Sequence, residues 1–413
     1  ARLKSITIPS SVTSLGNYSF SACGSLQTIT IPSSVTSIGL AAFCHCANFT
    51  SFFVDPNNQH FASLDGILFS KTMDKLICFP CNHSLTSYSV PTTVVSIIQA
   101  AFYGCEHLTS ITMSTSVKSI EEEAFFFCSS LESITIPSNV ASIGNFAFGQ
   151  CSALKMIMVE ESNQHFISID GILFEKQVGK LICFPSNHPF TTYTIPPNVT
   201  SIGKSAFSHC KNLQSIIIPP SVTSIGDSAF SMCMNLQFIA IPSSVTSIGD
   251  SAFVGCTNLT SFFVDPNNQH FVSIDGILFS KTVDKLICFP CNHWFSTYVI
   301  PTTVVSISNS AFSSCENLTS ITIPLSVTSI GDSVFCNCLS LESITIPSSI
   351  TSIGKEAFAN CSSLESITIP SSVASIEDSA FGWCSALEMI IVEENNQHFI
   401  SIDGILFEKQ VGK

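Results

Sequence analysis

The sequence predicts a repeat solenoid, mainly β with short turns or helical segments, and three observations point to it. An Ile-Pro step returns every 23 residues wherever two ordinary units adjoin, as at Ile218-Pro219 and Ile241-Pro242. Counted from that Ile, twelve units carry Phe at position 13, and the same twelve carry Cys at position 16. The chain of 413 residues also exceeds the roughly 300 residues that one globular core usually serves, which favours stacked coils.

Each ordinary unit is expected to contain two short strands and a turn. The unit at 241–263 is IPSSVTSIGDSAFVGCTNLTSFF, with apolar residues at positions 1, 5, 8, 13, 16, 19 and 22. Positions 19 to 23 alternate and end at the Ile-Pro step, which predicts a strand that stops where Pro lacks an N–H group. The pattern Ser-Val-x-Ser-Ile-Gly, as at 221–226, predicts a second extended segment that leads into an Ala-Phe turn.

The repeated Phe and Cys residues predict ladders in the core. Stacking at about 4.8 Å superposes identical residues, so the Phe rings would be buried against one another. The ladder thiols would all point the same way, which is a poor geometry for disulfides and favours buried, reduced cysteines. The ladder Phe residues are Phe20, Phe43, Phe102, Phe125, Phe148, Phe207, Phe230, Phe253, Phe312, Phe335, Phe358 and Phe381.

Four longer units interrupt the 23-residue spacing, near 54–89, 159–194, 264–299 and 392–413, and the last is truncated. They share the segments NQHF and DGILF, and the complete copies add KLICFP. Asp275-Gly276 between two apolar segments predicts a type I′ hairpin, because Gly tolerates positive φ. A second turn at 281–284 would complete an antiparallel meander that is inserted into the coil or replaces part of it. The first three long units start 105 residues apart, and the fourth follows after 105 residues plus one 23-residue unit. Block duplication explains the shared residues, so four active sites do not follow from them.

The pattern C-x-x-L-x-S-I-T-I-P-x-x-V-x-S-I-G-x-x-A-F recurs along the chain and resembles the BspA-like, Treponema pallidum-type class of leucine-rich repeats. The DGILF segment is similar to a D-G-[IV]-L-[FY] segment that such proteins often carry. The resemblance implies a curved right-handed solenoid with a parallel sheet on one face. It also implies a cell-surface or secreted protein, since some members are implicated in adhesion to host matrix proteins or cells. No functional residue of that class maps onto this sequence.

We expect one continuous leucine-rich-repeat solenoid over 1–413, as a segment of a longer chain, because the sequence starts at a repeat and stops inside a long unit. No apolar run approaches the roughly 18 residues that a transmembrane helix needs. The net charge of −14 and the scattered basic residues disfavour nucleic acid as a partner.

The strongest metal-like pattern is formed by Cys288, Cys291 and His293. Its copies are Cys78, Cys81 and His83, then Cys183, Ser186 and His188. Because the middle copy lacks one thiol and a structural zinc site needs four ligands, we predict no metal and no cofactor. Cys288 is expected to face the core, with Cys291 and His293 on a loop.

Four histidines share the NQH segment and precede an Asp, but no nucleophile signature accompanies them. They are His60, His165, His270 and His398. We expect loop imidazoles that bond to the backbone, no catalytic residues and no enzymatic activity.

The outward positions of the predicted strand, 21 and 23, carry Ser and Thr in many units. They include Thr28, Thr30, Ser110, Thr112, Ser133, Thr135, Ser320, Thr322, Ser343, Thr345, Ser366 and Thr368, and they are interrupted by Phe53, Met156, Met158, Phe238, Phe263 and Met389. Such a face could bind a partner, or it could reflect only the preference of Thr for strands.

We predict a noncatalytic macromolecule-binding protein, cell-surface or secreted, that acts in adhesion on a protein or glycan ligand. The alternative is a structural protein that self-assembles end to end into filaments or a matrix. The meanders are the first place to expect partner contacts.

Overall fold

The computed structural model describes residues 3–177 and 179–409, which form coils of short strands joined by turns. The predicted solenoid is confirmed. Over these residues no helix forms, so the segments that were expected to be turns or helical are turns. The described residues contain no helix long and apolar enough to cross a bilayer. The backbone divides into two compact units, Ala1–Pro189 with Gly203–Cys210, and Phe190–Ile202 with Lys211–Lys413. We call these the first and second units; the expectation of one continuous solenoid stays a prediction.

The strands that end at the Ile-Pro step are called front strands. Their apolar central residue points into the coil while its two neighbours point outward, so the 23-residue repeat brings like residues into parallel register. Ser320, for example, pairs with Ser343, and Thr322 pairs with Thr345. The front strands are Ser5–Thr7, Thr28–Ile31, Ser51–Val54, Ser87–Ser89, Ser110–Thr112, Ser133–Ile136, Met156–Val159, Thr192–Thr194, Ser215–Ile217, Phe238–Ile241, Ser261–Val264, Thr297–Val299, Ser320–Thr322, Ser343–Thr345, Ser366–Ile369 and Met389–Val392.

The Ser-Ile pairs of the second predicted segment form shorter back strands. Each is two residues long and also pairs in parallel, as Ser352 does with Ser375. The back strands are Ser14–Leu15, Ser37–Ile38, Ser96–Ile97, Ser119–Ile120, Ser142–Ile143, Ser201–Ile202, Ser224–Ile225, Ser247–Ile248, Ser306–Ile307, Ser329–Ile330, Ser352–Ile353 and Ser375–Ile376.

The Ala-Phe turn after each back strand has its own hydrogen-bond ladder. The N–H of Tyr18 donates to the carbonyl of Leu40 at 2.9 Å, and the N–H of Phe20 donates to that of Ala42 at 2.8 Å. Tyr18 and Ala22 have φ of 54° and 56°, a left-handed conformation that non-glycine residues rarely adopt. Most turns repeat these two positive φ values, which the bonds to the next coil hold in place.

The predicted Phe ladder fills the core. Ring centroids of Phe312, Phe335 and Phe358 follow one another at 5.3 Å, with interplanar angles of 27° and 18°. The long unit continues this ladder with Phe289, which stacks on Phe312 at 5.1 Å. Beside the rings, the buried thiol of Cys338 donates to the carbonyl of Phe312 at 3.1 Å. The inward direction predicted for the ladder thiols is therefore confirmed.

Each complete long unit contains the predicted antiparallel meander. Asp275 and Gly276 have φ of 51° and 83°, as a type I′ turn requires. The third strand, Lys285–Cys288, then pairs in parallel with the next back strand through Leu286 and Ile307. The meander therefore ends as the back strand of its own coil, so it replaces part of the coil. The meander strands are Phe61–Leu64, Ile67–Ser70 and Lys75–Cys78; Phe166–Ile169, Ile172–Glu175 and Lys180–Cys183; Phe271–Ile274, Ile277–Ser280 and Lys285–Cys288; Phe399–Ile402 and Ile405–Glu408.

Candidate binding surface

The outward residues of the front strands form two parallel rows. In Ser343–Thr345 both outward side chains are exposed while the central Ile is buried. The hydroxyls also contact one another along the row, since Ser110 Oγ donates to Ser87 Oγ at 2.8 Å. The predicted Ser and Thr face is therefore present, and it is uncharged where these residues occupy it.

Large apolar side chains interrupt these rows and remain in solvent. Ile217, Phe238 and Phe263 lie on three consecutive front strands of the second unit, and Ile217 and Phe263 are 62% and 59% exposed. The rings of Phe238 and Phe263 meet edge to face at 6.1 Å. Phe53 in the first unit and Val299 in the second are also exposed, at the outward position that Ile217 and Phe263 occupy in their own strands. We call Ile217, Phe238 and Phe263 the apolar patch.

A buried asparagine anchors each meander to the preceding coil. The Nδ2 of Asn268 donates to the carbonyls of Pro242 and Val245 at 2.8 and 3.0 Å. Its Oδ1 accepts from the N–H groups of His270 and Phe271, both at 2.8 Å. The copies Asn58, Asn163 and Asn396 make the same four bonds and are fully buried. The sequence pattern did not predict this role, although an Asn that all four NQH segments share was its signal.

The histidine after KLICFP holds the hairpin turn. His293 Nε2 donates to the carbonyl of Asp275 at 2.8 Å, while its Nδ1 accepts from the N–H of Phe295 at 3.1 Å. Burial lowers the pKa of His293, which favours this neutral form. The turn is also tight around Gly276, because an added Cβ there would lie 3.0 Å from Cβ of Ser261. Copies of this clamp join His83 to Asp65 and His188 to Asp170.

The metal-like cysteines do not converge. The thiol of Cys288 contacts the carbonyl of Phe289 at 3.6 Å, whereas that of Cys291 contacts Ser313 at 3.3 Å. Cys288 is buried, as expected, and Cys291 and His293 lie in the connection after the third strand but are buried as well. Among the residues that the structure describes, no three His, Cys, Asp or Glu side chains come together as a metal site would require.

Burial makes several of the ladder thiols poor nucleophiles. Burial raises the pKa of Cys46 to about 11 and that of Cys105 to about 11 as well. Their Sγ atoms donate to Phe carbonyls 26 residues earlier in the chain, at 3.0 and 3.6 Å. A thiol in this state is a poor nucleophile, because the thiolate is the reactive form.

The histidines of NQH differ from their expected arrangement. The side chain of His270 is exposed, and it is the backbone of His270 that bonds to Asn268 and to Lys281. The same backbone bonds recur at His60, His165 and His398. The imidazole that bonds to a backbone carbonyl belongs instead to His293 and its copies.

Each complete meander leaves a notch in the stack of turns. From Leu286 to Phe289 the chain advances three residues, whereas the aligned path from Ile307 to Phe312 takes five. The missing residues would have lain between the turns of the flanking coils. We call the gaps beside the meanders of 54–89, 159–194 and 264–299 the first, second and third notches, with cavity volumes of about 230, 40 and 150 Å³.

The notches interrupt the hydrogen-bond ladder of the turns. Over residues 3–177 and 179–409, the buried N–H groups of Phe43, Phe148 and Phe253 find no carbonyl in the following coil, unlike that of Phe20. Buried N–H groups are rarely left unpaired, so each notch offers a polar group to water or to a ligand.

The notches differ in the charges that border them. Glu121 lines the first notch, Lys180 and Lys204 line the second, and Asp250 and Lys285 line the third. The second notch also contains Ser205, whose buried Oγ has no hydrogen-bond partner among the described residues. The three notches share one origin but offer different chemistry.

Comparison with known proteins identifies the repeat. The sequence profile of the BspA type leucine rich repeat region matches residues 1–74, 75–185, 180–293 and 285–410. No curated protein sequence matches the chain.

Several solved structures are similar to the chain. A leucine rich cell surface protein from Faecalibacterium prausnitzii shares 26% identity, covering 95% of this chain and 88% of that chain with a TM-score of 0.38. A leucine-rich repeat protein from Eubacterium ventriosum shares 24% identity, covering 98% and 87% with a TM-score of 0.44. The pneumococcal vaccine antigen PcpA shares 18% identity, covering 95% and 84% with a TM-score of 0.38. Because the profile matches nearly the whole length and the coils follow its repeat, the chain belongs to the BspA type leucine-rich repeat family.

Proposed function

We propose that this repeat protein binds a protein partner through its front strands, as a noncatalytic adhesion protein at the cell surface or in secreted form. The observation that carries the proposal is the apolar patch of Ile217, Phe238 and Phe263 within rows that carry Ser or Thr at most of their other positions. A protein partner fits this patch better than a glycan, because exposed aromatic and aliphatic side chains bury best against other apolar side chains.

The fold itself does not require large apolar residues at these positions. The outward position of Ile217 and Phe263 is occupied by Thr in Ser320–Thr322 and Ser343–Thr345, which form the same strands in the same register. Leaving a large apolar side chain in water forgoes about 1.5–3 kcal/mol of burial energy, which contact with a partner would recover. The repeat architecture also supports the proposal, since extended repeat arrays commonly bind partners along a strand face.

Surface plasmon resonance on an immobilised basement-membrane extract tests the proposal. The wild-type chain should bind, and the double variant Ile217→Ser, Phe263→Ser should lose at least about tenfold in affinity, because two exposed anchors of about 1 kcal/mol each are removed. Trp383→Ser is the matched control, since Trp383 is 73% exposed but lies in a turn, away from the front strands. Equal binding by the double variant and the wild type would contradict the role of the patch.

End-to-end self-assembly into filaments or a matrix is the alternative function. Light scattering coupled to size exclusion distinguishes the two candidates, since filaments or large oligomers favour assembly and a monomer excludes it.

A further inference from the structure

The first notch is the largest of the three and has an apolar interior. Its cavity of about 230 Å³ is lined by Ile38, Ile77, Ile98, Ala100 and Cys78 among others. Since a water molecule occupies about 30 Å³ in the liquid, this cavity has room for several heavy atoms of a ligand.

The border of this notch is anionic and held in place. Glu121 is the one charged residue among the described residues that line it. Its Oε1 accepts from Ser96 Oγ at 3.0 Å, and its Oε2 accepts from the N–H of Gln99 at 3.1 Å. Glu122 and Glu123 follow directly, and burial raises the pKa of Glu123, with the charge of Glu122 adding to the shift. A carboxylate has about four acceptor sites, so Glu121 retains acceptor capacity toward a ligand.

The lining of this notch also includes an aromatic side chain. Tyr103 lines the notch, and its ring lies 5.2 Å from that of Phe126 and 6.0 Å from that of Phe127. His45 Nε2 lies 3.2 Å from the hydroxyl of Tyr103. These rings are not needed to build the turn. The turn position of Tyr103 and Phe126 is occupied in the second unit by Ser231, Val254, Ser313, Cys336 and Ala359.

We propose that the first notch binds the guanidinium group of an arginine side chain from the protein partner. A planar guanidinium stacks on aromatic rings and pairs with a carboxylate, and the lining of this notch contains both Tyr103 and Glu121. The aliphatic part of the arginine would occupy the apolar interior. In the turn segments that flank the notch, 39–47, 98–106 and 121–129, there are four Glu residues and no Lys or Arg, a balance that favours a cation. The proposal names a feature of the partner and so rests on the proposed protein-binding function.

Fluorine NMR with fluorotyrosine measures this site directly. The chain has five Tyr residues, so the spectrum is simple, and Tyr103→Phe assigns the signal of Tyr103. The probe is the peptide acetyl-Gly-Gly-Arg-Gly-Gly-amide, and the control peptide carries citrulline, which has the same shape without charge. We expect a saturable shift of the Tyr103 signal with the arginine peptide and none with the citrulline peptide.

Three variants make the result specific. Glu121→Gln should weaken the apparent affinity at least about threefold, because it removes the charge that faces the guanidinium. Glu377→Gln is the matched control, since Glu377 occupies the same repeat position in the second unit away from any notch, and it should bind as the wild type does. Ala100→Phe fills the cavity with a side chain that the same turn position already carries at Phe146, and it should abolish the shift.

The outcomes separate this site from the front-strand surface. Equal shifts with arginine and citrulline, or full affinity in both Glu121→Gln and Ala100→Phe, would overturn the arginine site. The readout is local to Tyr103 and leaves the matrix-binding result for Ile217 and Phe263 untouched. Loss of matrix binding in the double variant with no arginine effect would therefore reject this site alone.

Discussion

His293 Nε2 donates a hydrogen bond of 2.8 Å to the carbonyl oxygen of Asp275, eighteen residues earlier, and thereby holds the meander turn against the coil. Because burial lowers the pKa of His293, the folded protein resists a proton that the unfolded chain accepts near pH 6.5. The stabilising effect is therefore full above about pH 7.5, where both states are neutral, and is lost as the pH falls below about 6.5 toward the lower pKa of the folded state. Burial shifts His188 in the same direction.

Urea unfolding at pH 7.5 and pH 5.5 checks this prediction. The wild type should lose stability at the lower pH, and His293→Gln should lose less, because its amide can donate to Asp275 without titrating. His270→Gln is the control, since His270 is exposed and should keep the wild-type pH dependence. A wild-type pH dependence that His293→Gln leaves intact would show that His293 is not its source.

The buried amide of Asn268 should matter more than any neighbouring polar residue. Asn268→Ala removes four hydrogen bonds and leaves buried backbone groups unpaired, so we expect a loss of at least about 2 kcal/mol in the free energy of unfolding. Hydrogen exchange should become faster at the backbone N–H of Phe271, because this group donates to Oδ1 of Asn268 in the wild type. Gln269→Ala, at the exposed neighbouring position, should change neither quantity. Unchanged exchange at Phe271 in Asn268→Ala would rule out the anchoring role.

Substitution of a core Phe should lower stability, whereas substitution of a Phe in the apolar patch should weaken binding. Phe335→Ala opens a cavity between two stacked rings and should cost about 3–5 kcal/mol. Phe263→Ala removes an exposed ring and should leave the thermal midpoint nearly unchanged while weakening matrix binding. Differential scanning fluorimetry and binding on the same preparations measure both. A large loss of stability in Phe263→Ala would indicate that this residue supports the fold.

Cys384 should react faster than the fully buried ladder thiols whose pKa is raised. A hydrogen bond from Cys361 lowers the pKa of Cys384 to about 7, and its side chain is partly exposed. Burial raises the pKa of Cys128 and Cys151 instead. With iodoacetamide at pH 7.5, peptide mapping should find Cys384 modified well before Cys128. Equal rates in the folded protein would contradict this order, and unfolding in urea should abolish the difference.

The strands and the hairpin could be predicted from the sequence because their causes are local. Alternation in Ser-Ile-Thr, the Ile-Pro stop and Asp275-Gly276 each specify a backbone conformation within a few residues. The 23-residue period then fixed the ladders of Phe312 and Phe335 without any knowledge of distant contacts.

The anchors and notches depend on contacts between coils, which no local pattern reveals. Asn268 bonds to Pro242 and Val245, more than twenty residues away. His293 follows two cysteines and was interpreted as part of a metal-like pattern, whereas its imidazole bonds to the carbonyl of Asp275. The positive φ of Tyr18 and similar residues carries no Gly or Asn signal. The notches follow from the two residues missing between Leu286 and Phe289, which only alignment on the three-dimensional stack makes visible.

Hydroxyl-radical footprinting of the chain bound to the basement-membrane extract tests the central claim most directly. Large apolar side chains on the front strands should be protected in the complex, above all Phe238 and Phe263, while Trp383 in its turn should react as in the free protein. Protection of Trp383 with unchanged reactivity of Phe238 and Phe263 would contradict a binding surface on the front strands.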